Sequence, residues 1–172
     1  MPTHVMHNLL SPPSPSPVRA PILVVEDDEA IRDCLHMLLE GEGYGVAEAT
    51  TPTDALVHLR GATRGHIVLL DWMMLGRGES LLRQLEQEPA DGPLHQHCYV
   101  MLSAAEFSRF TEEEQRLIAA TCLEAVAKPF EVEALLAVIE RAAAPLRAAQ
   151  ERSRGRAHSR LARPVTTAQP RP

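Results

Sequence analysis

Five residues spread along the chain carry groups that could act together: Glu26, Asp27, Asp71, Ser103 and Lys128. Each follows a short apolar run. Ile22-Leu23-Val24-Val25 precedes Glu26-Asp27, and Ile67-Val68-Leu69-Leu70 precedes Asp71. Tyr99-Val100-Met101-Leu102 precedes Ser103, and Ala125-Val126-Ala127 precedes Lys128. Runs of this kind suit strands buried on both faces, as in a parallel sheet. Polar groups can then stand only at strand ends, and the carboxyl edge of such a sheet is where ligands gather. If the strands are parallel and adjacent, three carboxylates converge there. Each pair at 4 Å repels by about 4 kcal/mol at an effective dielectric of 20, so the cluster calls for a cation. Oxygen ligands with open water positions suit Mg²⁺. Lys128 adds a mobile positive charge and Ser103 a hydroxyl donor. A phosphoryl group moving onto a carboxylate requires such a set.

The rest of the 172-residue chain must position these groups. It is long enough for one ordinary domain with tails. A composition 45% hydrophobic but only 3% aromatic points to an aliphatic α/β core. From Arg141 onward, eight Arg and one Glu give +7, which leaves −13 on residues 1–140 out of the total of −6. An acidic body with a basic tail does not suit a general nucleic-acid binder. Cys34, Cys98 and Cys122 are scattered and lack metal or disulfide spacing, which fits a reducing compartment. No stretch is apolar enough to span a membrane and no signal peptide is evident. The expectation is a soluble, cytoplasmic protein.

Helices are expected between the strands. After Asp28, which suits a helix cap, Ile31, Leu35, Leu38 and Leu39 would line one face before Gly41 and Gly43. Val46-Ala47 marks a second strand. Thr51-Pro52 opens a helix with Leu56 and Leu59 inward and Gly61 at its end. A third helix runs from about Glu79 to Gln87 with Leu81, Leu82 and Leu85 inward, followed by a polar loop over 88–96. Thr111 caps a fourth helix with Leu117 and Ile118 inward. The last presents Val132, Leu135, Leu136 and Ile139 and should end near Pro145. Five alternating strands and helices imply right-handed crossovers and a flavodoxin-like (βα)5 fold, a doubly wound parallel five-stranded sheet. The expected division is a disordered Pro/Ser-rich segment over 1–20, a domain over 21–145, and a disordered Arg/Ala/Pro-rich tail over 146–172.

With these motifs in order, the chain resembles the receiver domain of bacterial two-component response regulators over about Pro21 to Ala144. The resemblance implies that Asp71, within Leu69-Leu70-Asp71-Trp72-Met73-Met74, is the phosphorylated residue. It implies that Glu26 and Asp27 hold Mg²⁺ with Asp71 and the backbone carbonyl of Met73. Lys128, in Lys128-Pro129-Phe130 with its usually cis bond to proline, and Ser103 would contact phosphoryl oxygens. The phosphodonor would be a sensor histidine kinase or a histidine phosphotransfer protein, and the output a downstream protein of unknown identity. The resemblance makes the chain a phosphoacceptor rather than an enzyme, beyond self-phosphorylation and slow self-dephosphorylation. No DNA-binding output domain is recognised after Pro145, so a stand-alone receiver is expected, without membrane association and with room for a weak homodimer.

Four features depart from the family pattern. Leu75 replaces a usual proline, Glu79 a common glycine, and Ala125 the aromatic switch residue of the fifth strand, while the segment from Ser103 to Lys128 is slightly long. Two other readings stand beside the main one. A phosphorylation-independent adaptor would keep the fold alone. An aspartate-nucleophile phosphohydrolase of the haloacid dehalogenase kind would need a second acid at Met73. His95, His97 and Cys98 are close in sequence but lack a fourth ligand for a soft metal.

Overall fold

The four strands richest in β-branched and aliphatic residues pair side by side, as their two-sided apolar character demands. The computed structural model describes residues 19–74 and 78–161. In chain order the elements are β1 Ile22–Val25, α1 Glu29–Gly41, β2 Val46–Ala49, α2 Pro52–Gly61, β3 Ile67–Asp71, α3 Gly78–Gln87, β4 Cys98–Ser103, α4 Glu112–Thr121, β5 Glu124–Ala127 and α5 Val132–Leu161. All pairings are parallel, in the order β2-β1-β3-β4-β5. This is the expected doubly wound flavodoxin-like sheet.

Alternation along each strand divides the core in two. Leu23, Val25, Val68, Leu70, Tyr99 and Met101 face the layer of α2, α3 and α4, where Leu59, Leu81, Leu82, Leu85, Leu117 and Ile118 are buried. Ile22, Val24, Ile67, Leu69, Val100 and Leu102 face α1 and α5, meeting Leu35, Leu39, Leu135, Val138 and Ile139. The caps follow the local chemistry. Asp28 accepts from the Ile31 N–H at the start of α1, Thr51 accepts from Asp54, and Thr111 with Glu114 forms a capping box on α4. Gly43, at φ +80°, takes the left-handed turn after α1.

Several expectations need correction. Ile31 and Val132 are exposed rather than inward. Both lie in the first turn of a helix that begins beyond a strand's carboxyl end, where no sheet remains to cover them. The 88–96 loop includes a 3₁₀ turn, Pro93–Gln96, that buries Leu94 completely. Ahead of Pro21, Ala20 is buried and Arg19 lies over the Tyr44 ring at 4.5 Å. α5 does not stop at Pro145 but continues to Leu161 with the proline inside it. Arg141, whose carbonyl loses its partner, and Pro145 itself are both exposed, so water can satisfy that carbonyl. Leu146 is buried in the next turn and holds the helix to the sheet. Expectations for residues 1–18, Leu75 and residues 162–172 fall outside the described residues. Among the described residues no helix is long and apolar enough to cross a membrane.

Candidate phosphoacceptor site

The order of the strands brings β1 and β3 together at the centre, with β4 and β5 following, so four of the polar strand ends share one edge. Glu26 continues β1, and its N–H donates to the Ala49 carbonyl at 3.1 Å. Asp71 is the last residue of β3, opposite Leu102. Both are buried, at 2% and 5% exposure, where an unpaired charge is expensive. Asp27 is half-buried beside them. The three carboxylates each offer an oxygen within 4.8 Å of the others.

Lys128 enters from the end of β5. Its N–H donates to the Ser103 carbonyl at 2.7 Å, and the following bond to Pro129 is cis. Its Nζ donates to Glu26 Oε2 at 2.6 Å and to Asp71 Oδ1 at 3.1 Å. Burial lowers the ammonium pKa, but hydrogen bonds to Glu26 and Asp71 outweigh it and hold the group above the ordinary lysine value. Lys128 is therefore a fixed cation. Glu26 and Asp71 share this one ammonium, and three carboxylates with oxygens within 4.8 Å of one another form a hard-oxygen cluster. The residues present fit Mg²⁺, which takes hard oxygen donors and keeps some of its water.

Ser103 is buried at the end of β4, but its hydroxyl is turned into its own loop. It accepts from the Ala105 N–H at 3.0 Å and donates to the Ala105 carbonyl at 3.3 Å. Behind it lies a cleft of about 60 Å³ lined by Met101, Ser103, Ala105, Phe107, Phe110 and Ala125, among others. Ala125 is exposed on the edge strand. Met73 follows in the bend after β3, with its side chain 63% exposed.

Two contributors, Gly78 and Arg32, were not evident from the sequence, whereas Trp72 was expected to be partly buried beside the site. Gly78 opens α3 so close to the acceptor strand that any Cβ would collide with the Asp71 carbonyl. Its own N–H donates to the Trp72 carbonyl at 3.3 Å. The close approach thus belongs to Gly78, while Glu79 pairs with Arg83 at 2.6 Å. Arg32 donates to the Glu26 carbonyl at 3.1 Å and steadies the end of β1. Trp72 is buried edge-on against Phe110, with centroids 5.2 Å apart, and ties the β3 end to the loop before α4. A glycine opening a helix just after the acid was the one available signal.

Known proteins share this arrangement. A family model described as the response regulator receiver domain matches residues 22–140. The phosphate regulon transcriptional regulatory protein PhoB of Rhizobium meliloti (strain 1021) is 34% identical over 122 residues, covering 69% of this chain. The chain spans about half the length of that curated relative, 50%. Among solved structures, the response regulator StyR matches with a TM-score of 0.64 at 29% identity, over 82% of this chain and 67% of that one. The response regulator TrrA of Thermotoga maritima, solved in complex with Mg²⁺-BeF, matches with a TM-score of 0.58 at 25% identity, over 71% and 97%. The CheY-like receiver of Methanospirillum hungatei JF-1 gives 0.59 at 25% identity, over 72% and 92%. A doubly wound sheet ending in an acid cluster, together with a family match over most of its length, makes this chain a member of the response regulator receiver domain family.

Proposed function

We propose that Asp71 is the phosphoacceptor of this receiver and that Glu26, Asp27, Asp71 and the Met73 carbonyl hold Mg²⁺ for the transfer. The observation that carries the reading is Lys128 Nζ bridging Glu26 and Asp71 inside a three-carboxylate cluster. The Mg²⁺-BeF complex of TrrA supports it. When bound, Mg²⁺ supplies charge neutralisation for the transferring group.

The chain's own residues do the rest. An oxygen of Asp71 attacks phosphorus in line as the P–N bond of a donor phosphohistidine breaks, and the imidazole departs with that electron pair. Lys128 keeps its contact with Glu26 and moves its contact on Asp71 to a phosphoryl oxygen. The Ser103 hydroxyl leaves the Ala105 carbonyl and donates to another of those oxygens. Donors aimed at developing charge in a water-poor site are where most of the acceleration arises. The donor is a sensor histidine kinase or a histidine phosphotransfer protein. The output is a partner protein that reads the surface near the acid edge.

The test is incubation with acetyl phosphate and Mg²⁺ followed by intact mass. The wild type gains one phosphoryl group, and both Asp71→Asn and Mg²⁺-free wild type gain none. Labelling of Asp71→Asn at the wild-type level would place the acceptor elsewhere.

A further inference from the structure

Three histidines meet at the opposite, amino-terminal edge of the sheet. His66 immediately precedes β3, His97 immediately precedes β4, and His58 lies in α2. Their hydrogen bonds fix which nitrogens carry protons. His97 Nδ1 accepts from the His66 backbone N–H at 3.0 Å, so Nε2 carries the hydrogen and donates to the Leu59 carbonyl at 3.1 Å. His66 Nδ1 lies 3.0 Å from the Arg64 carbonyl, which can only accept. His66 therefore donates from Nδ1 and keeps a lone pair on Nε2.

That lone pair sits 3.3 Å from His58 Nε2. The gap lies just beyond the range of about 2.7–3.2 Å that N–H donors keep to oxygen acceptors. It matches the separation of two nitrogens on one tetrahedral zinc, about 3.3 Å when each Zn–N bond is about 2.0 Å. The ring centroids are 5.0 Å apart with the planes at 88°. Two imidazoles facing nitrogen to nitrogen in line at this gap would hold their centroids about 5.6 Å apart. The ring axes are therefore bent away from the line joining the nitrogens, as they are in two ligands of one ion.

We propose that His58 and His66 form a two-histidine site for a divalent transition-metal ion, Zn²⁺ in preference, with water completing the coordination. The support expected around such a ligand is in place. The Arg64 carbonyl holds the Nδ1 proton of His66, the usual partner of a metal-bound imidazole. His97 anchors the backbone of His66 from below and is itself anchored to α2 through Leu59. The ion would clamp α2 to the foot of β3. The imidazole pair and the all-oxygen acid cluster select different metals, so Mg²⁺ at one edge does not compete with Zn²⁺ at the other.

The test uses the full chain, saturated with Mg²⁺, titrated with ZnCl₂ and followed by ¹⁵N–¹H correlations of the histidine rings. The Nε2 resonances of His58 and His66 shift together and saturate with one ion, while the Nδ1 proton of His66 persists. His58→Gln still offers an N–H to His66 but is a poor zinc ligand. It keeps the metal-free melting temperature and loses at least tenfold in Zn²⁺ affinity at this site. Two results would overturn the proposal: His58 and His66 resonances unmoved by excess Zn²⁺, or wild-type affinity at His66 in His58→Gln. Either would leave the pair a hydrogen bond only.

Discussion

The two edges of this sheet bury polar side chains in opposite ways. At the carboxyl edge, Glu26, Asp27 and Asp71 cluster, and Glu26 and Asp71 share the one ammonium of Lys128. At the amino edge, His66 and His97 are each 8% exposed, yet their ring nitrogens meet carbonyls, an amide and another imidazole. The first sets like charges side by side, which costs stability and favours uptake of a cation. In the second, both ring nitrogens of His97 have partners, so it favours the fold. Buried polarity thus favours ligand uptake where like charges cluster and stability where partners are complete, as at His97.

The largest effect expected from this contrast is at His97. His97→Ala removes an acceptor from the His66 N–H and a donor from the Leu59 carbonyl and leaves a cavity. The loss should be about 3 kcal/mol in urea unfolding. A loss smaller than that of a surface substitution would remove the network from the list of stabilising features. The same residue sets a pH dependence. Burial, assisted by nearby His66 and His58, pushes the imidazole of His97 down to about 4, although its hydrogen bond to the Leu59 carbonyl opposes this. The unfolded chain binds its proton near 6.5, so between those values the unfolded state holds more protons. Stability is therefore complete above about pH 6.5 and falls as pH drops toward 4, by up to about 3 kcal/mol. Burial also lowers His66, and it acts in the same direction. In EDTA, His97→Ala should flatten most of this slope.

The next effect concerns the lifetime of the aspartyl phosphate. If Met73, two residues after Asp71, and Ala105, two after Ser103, flank the approach of a hydrolytic water, neither side chain can orient it by a strong hydrogen bond. Met73→Asn or Ala105→Glu should quicken dephosphorylation by about tenfold, less than the roughly 10²-fold at which full general-base catalysis begins, because these groups only orient the water. Decay followed by intact mass decides it, and unchanged rates in both variants would locate the control elsewhere.

A smaller, opposite-signed effect separates the two edges directly. Without Mg²⁺, Asp71→Asn should raise stability by about 1 kcal/mol, because it removes one repelling charge while retaining an oxygen for Lys128. Added Mg²⁺ should stabilise the wild type and close that gap. A variant less stable than the wild type in EDTA would mean that pairing with Lys128 outweighs the repulsion.

The smallest effect is spatial. Ala125 is exposed and offers no ring to move between two packed states, so phosphorylation has little differential contact with which to bias β5 and α5. Amide spectra of the Mg²⁺ form with and without beryllofluoride should change most at Asp71 and over 103–111. Equal shifts over 123–137 would show that the far face responds without an aromatic on β5.

Much of the fold was legible because local rules agreed. Four apolar runs ended in polar groups, caps stood at Asp28, Thr51 and Thr111, and inward leucines kept helical spacing on α2, α3 and α4. Pro145 misled because a helix-breaking residue says nothing of the buried Leu146 beside it. Ile31 and Val132 misled because helical spacing does not say where the underlying strand ends. The sequence neighbours His95, His97 and Cys98 suggested a group, but the structure parts them. His97 turns inward to Leu59, while His95 Nε2 reaches the Glu88 carbonyl on the surface.

By itself, the sequence determined the alternation of strands and helices and which strand ends carry Glu26, Asp27, Asp71, Ser103 and Lys128. Those follow from periodicity and from the cost of burying charge anywhere but an edge. Only the tertiary structure decided that Lys128 spans Glu26 and Asp71, that Ser103 turns its hydroxyl to Ala105, that Gly78 must lack a side chain, and that His58, His66 and His97 adjoin. Each depends on side-chain directions and packing, over separations from 2 positions for Ser103 and Ala105 to 102 for Lys128 and Glu26. Spacing along the chain does not encode that closeness; packing the two layers on the sheet does.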